Sequence, residues 1–323
     1  MSAFEAGEEP AEVAETAVAA VPTVSFELYP PRSRQGELDL DRALGHLVSA
    51  RPEFISVTYG ASGSTRGVSL GVVRRLLEQT AVRPMAHLTC VGSSYAEASR
   101  LIREFLDAGV TSFLALRGDP PAGQTEDDVF LGDLRSAGEL VQLIHRVQAE
   151  RVPFSEQQVP GFPGARRIGP RERVTIAVAA FPHGHPRSRS VEQDLDTLLA
   201  KEAAGANLAI TQLVFEADDY LRFVEKARTA GVTMRILPGI MPMLSAPRLR
   251  RAVELSGQTP PAGFERALES AEDPAAVGVE QATRLARELL EGGASGLHLY
   301  TFNRHEAPLA VLGAVGLIPA PAA

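Results

Sequence analysis

Short apolar runs alternate along the chain with longer stretches in which apolar residues recur every three to four positions. The short runs occupy residues 23–30 (TVSFELYP), 54–60 (FISVTYG), 84–90 (PMAHLTC) and 112–119 (SFLALRGD). They continue at 175–182 (TIAVAAFP), 208–215 (LAITQLVF), 234–241 (MRILPGIM) and 296–303 (GLHLYTFN). Their length and β-branched or aromatic content predict strands. Between them, Leu101, Phe105, Leu106 and Val110 step along one helical face, as do Leu195, Leu198 and Leu199, and Leu221, Val224 and Ala227. Eight strand–helix units in alternation predict parallel strands joined by right-handed crossovers. Such a set closes most naturally as a single-domain α/β fold, the (β/α)8 TIM barrel. An open doubly wound sheet is the competing arrangement. It normally carries a glycine-rich turn after its first strand, whereas this first strand runs into Pro30-Pro31.

The barrel is expected over residues 22–319, between a disordered N-terminal tail at 1–21 and a short C-terminal tail at 320–323. Two loops are long. Residues 120–135 follow the fourth strand and belong to the catalytic face; residues 151–173 precede the fifth and belong to the opposite face. The second is read as a stability or assembly element, or as disorder.

Polar residues gather at the carboxyl ends of the strands, where a barrel builds its site. In order they are Glu27, Thr58, His87 with Thr89, Arg117 with Asp119, His185, Gln212, and Asn303 with Arg304. A carboxylate such as Glu27, between Phe26 and Leu28, is costly to bury unpaired. It is read as a general acid in a largely apolar mouth; the competing structural reading is a salt bridge to Arg117. His87 taken alone reads as a hydrogen-bonded core histidine, and Cys90 as a small buried hydrophobe. Gly118 allows close approach of the backbone to a ligand.

Composition removes other classes. The net charge of -8 argues against a nucleic-acid binder. No apolar run reaches membrane-spanning length, and residues 1–21 lack the basic start and apolar core of a secretory leader. A single cysteine permits no intramolecular disulfide and fits a reducing, cytoplasmic setting. The only lysines, Lys201 and Lys226, fall in helical stretches, which disfavours Schiff-base chemistry on a strand. His183 and His185 have a spacing that could recruit a metal, but no acidic ligand accompanies them in sequence, so no metal is expected.

At these same strand ends the chain resembles the methylenetetrahydrofolate reductase family. The matching runs are SFELYPPRS, FISVTYGASGSTR, HLTCVG, ALRGDPP, AGANLAITQLVF, PGIMPM and GLHLYTFNR, in the family's order. The resemblance implies a homo-oligomeric flavoprotein with non-covalent FAD, reduced by NADH or NADPH. The flavin then passes the hydride to a folate small molecule, methylenetetrahydrofolate, in one-carbon metabolism and methionine supply. It implies catalytic roles for Glu27, as the acid that opens the folate's bridging ring, and Asp119, near the flavin pyrimidine. Gln212, Tyr300 and Arg304 would join these two in binding substrate, Arg304 at the anionic tail. Thr58, Tyr59, Ala61, His87, Arg117, Gly118, Asp119, Ala137, Phe181, His185, Asp194 and Lys201 correspond to FAD-contacting positions.

The chain departs from the family mainly on the FAD side. Phe181 replaces a common tyrosine, His183 a common glutamate, and Thr197 and Ala200 stand where polar or basic groups are frequent. Gly67-Val68 stand where an acidic residue is usual, and Ala252 near where some members place a stacking aromatic ring. Weak FAD binding, or direct hydride transfer without FAD, is therefore the alternative within the family. A non-catalytic folate-binding paralogue is the alternative outside enzymology, and retention of Glu27 and Asp119 speaks against it.

Overall fold

A computed structural model describes residues 21–58, 66–118, 132–151, 154–159, 162–167, 174–185 and 188–319, with backbone alone at residues 66, 154–159 and 162–167. Its centre is a closed barrel of eight parallel strands. These are β1 (Thr23–Leu28), β2 (Phe54–Val57), β3 (Arg83–Thr89), β4 (Ser112–Leu116), β7 (Thr175–Ala180), β8 (Leu208–Leu213), β9 (Arg235–Ile240) and β10 (Gly296–Tyr300). All eight fall within the runs expected from sequence except for one-residue shifts at the start of β3. Among the described residues strict strand–helix alternation breaks twice, between β4 and β7, where two further strands follow the helix, and between β9 and β10. Between β9 and β10 lie three helices: α7 (Ala246–Ser256), α8 (Phe264–Ser270) and α9 (Pro274–Glu291).

The segment 151–173 contains structure that the sequence reading did not give it. Strands β5 (Phe154–Val159) and β6 (Phe162–Arg167) pair antiparallel as a separate two-stranded sheet. The signal was hidden because FSEQQV has little apolar alternation and Pro163 argues against a strand interior.

Alternation of side chains sorts the strands into two surfaces. Val24, Phe26 and Leu28 of β1, Phe113 and Ala115 of β4 and Leu297 and Leu299 of β10 face outward into the main core beneath the helices. Phe26 is fully buried there. A separate apolar plug of Phe54, Met85, Leu114, Ala177, Leu208, Ile210 and Leu237 fills the barrel interior. Polar positions, among them Ser25, Ser56, His87 and His298, are buried alongside this plug.

Several helices that leave the carboxyl ends start on serine caps. Ser33, Ser94, Ser136 and Ser190 accept from Gly36, Glu97, Glu139 and Gln193 backbone N–H groups. Ser94 and Glu97 complete a capping box before α3 (Tyr95–Asp107). Each cap satisfies an otherwise orphaned helix donor, typically worth about 1 kcal/mol, and fixes where the preceding loop ends. No helix among the described residues is long and apolar enough to cross a membrane.

Candidate active site

The parallel register places inward side chains in neighbouring pairs. Ser25 lies beside His298, and Glu27 beside both Ser56 and Tyr300. Glu27 is therefore enclosed by barrel wall, with its side chain 12% exposed. Its Oε2 lies 3.6 Å from His87 Nε2 and 4.0 Å from His298 Nε2. The alternative of a salt bridge to Arg117 is not realised: Glu27 faces the two imidazoles instead.

Burial holds the His87 imidazolium down at about 4, outweighing the pull of Glu27, and His298 pushes the same way as burial. His87 is thus neutral near pH 7, and its approach to Glu27 is a dipolar contact rather than an ion pair. His298 is completely buried. Its Nδ1 shares a 2.9 Å hydrogen bond with Ser25 Oγ, and its ring lies between Phe54 and Tyr300, at centroid separations of 5.8 and 5.3 Å. The Nε2 atoms of His87 and His298 and the hydroxyl of Ser56 have no hydrogen-bond partner among the described residues. Buried polar atoms without partners are uncommon. Here two converge on one carboxylate.

Tyr300 closes the opposite wall. Its hydroxyl donates to Thr211 O at 3.0 Å, and burial together with Glu27 and Tyr29 pushes its acidity well below that of free tyrosine. The ring fits because Gly239 leaves room: a Cβ there would lie 2.8 Å from Tyr300 Cε2 and 2.6 Å from Thr211 O. Thr301 Oγ1 donates to the Glu27 carbonyl at 2.7 Å, and Asn303 brackets Tyr29, accepting from its N–H at 2.8 Å and donating to its carbonyl at 3.0 Å. The ends of β1 and β10 are thereby fastened together. Phe302 and Asn303 pay for this with left-handed backbone (φ 52° and 57°), a conformation that non-glycine residues adopt rarely. Arg304 follows, exposed at the rim.

The remaining expected residues divide by place. Thr58 continues β2, its N–H bonded to Leu28 O and its carbonyl accepting from Ser69 Oγ. Arg117 and Gly118 follow β4; Gly118 has φ 85°, and a Cβ on it would lie 2.6 Å from Val91 Cγ1. Ala137 opens α4 (Ala137–Glu150) and is buried. Gln212 sits at the end of β8, its Oε1 accepting from Leu213 N–H. Cys90 is buried, its thiol pushed up to about 11 by burial, as a structural residue should be. Tyr59, Ala61 and Asp119 lie outside the described residues.

Phe181, His185, Asp194 and Lys201 form a second group where β7 meets α5 (Val191–Ala203). The Phe181 and His185 rings meet edge to face at 4.7 Å. Asp194 accepts from His185 N–H at 3.0 Å and from Ser188 Oγ. Lys201 Nζ donates to Ala179 O at 2.9 Å and lies 5.9 Å from the Phe181 ring centre. Burial brings its pKa down to about 8, against the pull of Asp194. His183 turns away to Asp219, at 3.2 Å. Among the described residues no cluster of three or more His, Cys, Asp or Glu could hold a metal ion.

Sequence reasoning missed His298, Ser25 and the Asn303 brace. The signal for His298 was the alternation of Gly296, His298 and Tyr300 against Leu297 and Leu299, which turns the histidine inward.

The methylenetetrahydrofolate reductase family profile matches residues 12–316. The chain is 30% identical over 300 residues to the 5,10-methylenetetrahydrofolate reductase of Escherichia coli K12, covering 92% of this chain and 91% of that enzyme. It is 32% identical over 298 residues to the probable methylenetetrahydrofolate reductase (NADH) of Oryza sativa, covering 91% of this chain but 48% of the rice protein. A solved structure of similar fold, at TM-score 0.56 and 14% identity, covers 93% of this chain and 94% of its own. It is an uncharacterized Clostridium thermocellum protein that binds two copies of 5-methyl-5,6,7,8-tetrahydrofolic acid. With the profile spanning nearly the whole chain and the barrel ends bearing the matching residues, the chain belongs to the methylenetetrahydrofolate reductase family.

Proposed function

We propose that the protein is a cytoplasmic reductase that converts methylenetetrahydrofolate to methyltetrahydrofolate, with NADH or NADPH as hydride donor and non-covalent FAD between them. The observation that carries this reading is Glu27, enclosed at the barrel mouth and faced by two imidazole nitrogens. Opening the folate's five-membered ring requires a proton on the departing nitrogen, while the other nitrogen's lone pair forms the iminium. Hydride addition to that carbon then gives the methyl group. Glu27 supplies the proton. The neutral His87 disperses no positive charge toward it, and His298 with Ser25 limits its motion. Gln212 and Tyr300 bind the pterin end, Arg304 the anionic tail, and Asp119 the region between folate and flavin.

The residues around the mouth fit a flavin ring. Thr58, His87, Arg117 and Gly118 end neighbouring strands, and Gly118 presents bare backbone where Val91 leaves no space for a side chain. Bound there, FAD supplies a two-electron carrier that accepts hydride from one substrate and gives it to the other. Ala137, Phe181, His185, Asp194 and Lys201 would face its tail.

A second reading, weak dependence on FAD, is favoured by the β7–α5 group. Lys201 already donates to Ala179 O, and Asp194 already caps its own loop. Thr197 spends its hydroxyl on Gln193 O, and Ala200 offers nothing polar. Anaerobic incubation of the purified protein with methylenetetrahydrofolate and NADH or NADPH, with and without added FAD, tests both readings by mass detection of methyltetrahydrofolate. No product under any condition overturns the reductase assignment. Full activity in protein shown to be free of flavin selects the second reading.

A further inference from the structure

Strands β5 and β6 form a two-stranded sheet that pairs with no other strand among the described residues. They lie between the end of α4 and the start of β7, on the side of the barrel away from the carboxyl ends of its strands. Two strands alone are marginally stable in water, and three or more are normally needed.

The two outer edges of this sheet are not alike. Pairing runs from Phe154 opposite Arg167 to Val159 opposite Phe162, with Gln158 opposite Pro163. Proline has no N–H, so a strand tolerates it where that group would point away from its neighbour. Gln158 and Pro163 are then a pair that exchanges no hydrogen bonds. By alternation, Val159–Phe162, Gln157–Gly164 and Ser155–Arg166 are the bonded pairs. The backbone N–H and C=O groups of Phe154, Glu156 and Gln158 therefore point to the outer side of β5. On the outer side of β6, Pro163 offers no donor and the strand ends on Arg166-Arg167, two features that blunt an edge against pairing. The sequence FSEQQV of β5 has no proline, no lysine or arginine and one carboxylate. One edge is protected and the other is open.

We infer that the outer edge of β5 pairs antiparallel with β5 of a second copy of this chain, giving the four-stranded order β6-β5-β5-β6 about a two-fold axis. Bonded and unbonded pairs alternate, so such an axis sets one residue opposite its own copy. Centred on Glu156, it would oppose two carboxylates, which is unfavourable. Centred on Gln157, it sets Glu156 opposite Gln158 and Ser155 opposite Val159. Glu156 and Gln158 are the residues whose backbone groups face outward, so this register also makes the bonds. The edges left outside are then β6 of each copy, both blunted, and assembly stops at the dimer. Growth on this side also leaves the carboxyl ends of the barrel strands open.

Sedimentation velocity of the full chain over a concentration series, with variants of β5, tests the pairing. The unsubstituted protein should reach a dimer. Gln158→Glu sets carboxylates opposite each other twice per interface and should weaken the dimer about two- to thirtyfold. Adding Glu156→Lys to it should restore the affinity to within about threefold. Gln158→Pro removes an outward donor that β6 does not use and should weaken the dimer about fivefold or more. If that proline disturbs the hairpin itself, the charge pair still decides. Cross-linking checks the register. Gln157→Cys places two thiols at an unbonded pair with Cα atoms about 4.5 Å apart, within reach of a disulfide. Ser155→Cys, on the same face, places them roughly 14 Å apart, beyond reach. The native Cys90 is buried and does not compete. Mild oxidation should therefore link Gln157→Cys and spare Ser155→Cys. A monomer at every concentration overturns the inference and leaves the edge to a different partner. A dimer indifferent to both substitutions at 158 uses another surface, and equal cross-linking at 155 and 157 refutes the two-fold register.

Discussion

Replacing His298 separates chemistry from packing. The imidazole has two working ends. Nδ1 is bonded to Ser25 Oγ at 2.9 Å, and Nε2 lies 4.0 Å from Glu27 Oε2. An asparagine amide occupies roughly the position of Nδ1, and a glutamine amide reaches roughly that of Nε2. His298→Asn therefore keeps the Ser25 bond and removes the group facing Glu27. His298→Gln keeps a polar group toward Glu27. In the proposed reaction Glu27 gives up its proton and becomes a carboxylate in a poorly solvated place, where a donor at 298 would stabilise it. A hydrogen bond to a charged group contributes about 1.5–3 kcal/mol. A separation of 4.0 Å, longer than a hydrogen bond, places the expectation at the lower end. The folate half-reaction should then slow about tenfold in His298→Asn and by clearly less in His298→Gln. Its pH profile should shift only in the former. In the proposed flavin mechanism the nicotinamide half-reaction does not use Glu27, so flavin reduction should be nearly unchanged in both. Stopped-flow absorbance of the two half-reactions against pH supplies the measurement. If both variants slow both half-reactions equally, in step with their loss of melting temperature, His298 only fills space between Phe54 and Tyr300.

Glu27→Gln should slow the folate half-reaction by about 10²–10⁴-fold while leaving flavin reduction intact; equal loss in both half-reactions would make Glu27 structural. His87 titrates near 4 in the fold against about 6.5 unfolded, so between those values the unfolded chain binds more protons. Its contribution is present above about pH 6.5 and is lost as pH falls through about 4, a change on the order of 3 kcal/mol. Melting curves from pH 7 to 4 should flatten in His87→Asn, and an unchanged slope would remove His87 from the acid response. Phe181→Tyr adds a hydroxyl beside His185 and Lys201 and should tighten FAD several-fold; flavin retained after dialysis, compared between the two proteins, checks it, and equal retention contradicts it.

The barrel was legible because its strands are short, β-rich and regularly spaced, and because Glu27 and His87 sit at strand ends where polar residues have no packing reason to be. His298 was harder. It lies in the middle of β10, so a reading that weighs only the strand ends passes over it, although its alternation with Leu297 and Leu299 turns it inward. The Asn303 brace could not be read, since Asn303 is of a type that tolerates left-handed backbone but nothing in YTFNR marks the preceding Phe302 for it. The β5–β6 pair lacked apolar alternation. Arg248 was the least legible. In the run PRLRR it looks like Arg250 and Arg251, and only the placement of Glu254, Glu265 and Glu269 shows which arginine makes no ion pair among the described residues.

The proposed function requires an acidic protein to bind an acidic substrate. The net charge of -8 would repel the anionic tail of a folate if it acted as a whole. At physiological ionic strength, however, exposed charges beyond roughly 8 Å are largely screened, so the groups at the rim decide. There Arg248 makes no ion pair among the described residues and Arg304 has Glu306 as its carboxylate neighbour, whereas Arg250 and Arg251 on α7 are paired. In the proposed function the anion's approach is thus governed by local charge. Attraction from the exposed Arg304 is open to screening by salt. Added salt should accordingly weaken binding of methyltetrahydrofolate more than of methyltetrahydropteroate, which lacks the anionic tail, and by a smaller factor in Arg304→Gln. An equal salt dependence for both ligands would mean that the tail never meets Arg304.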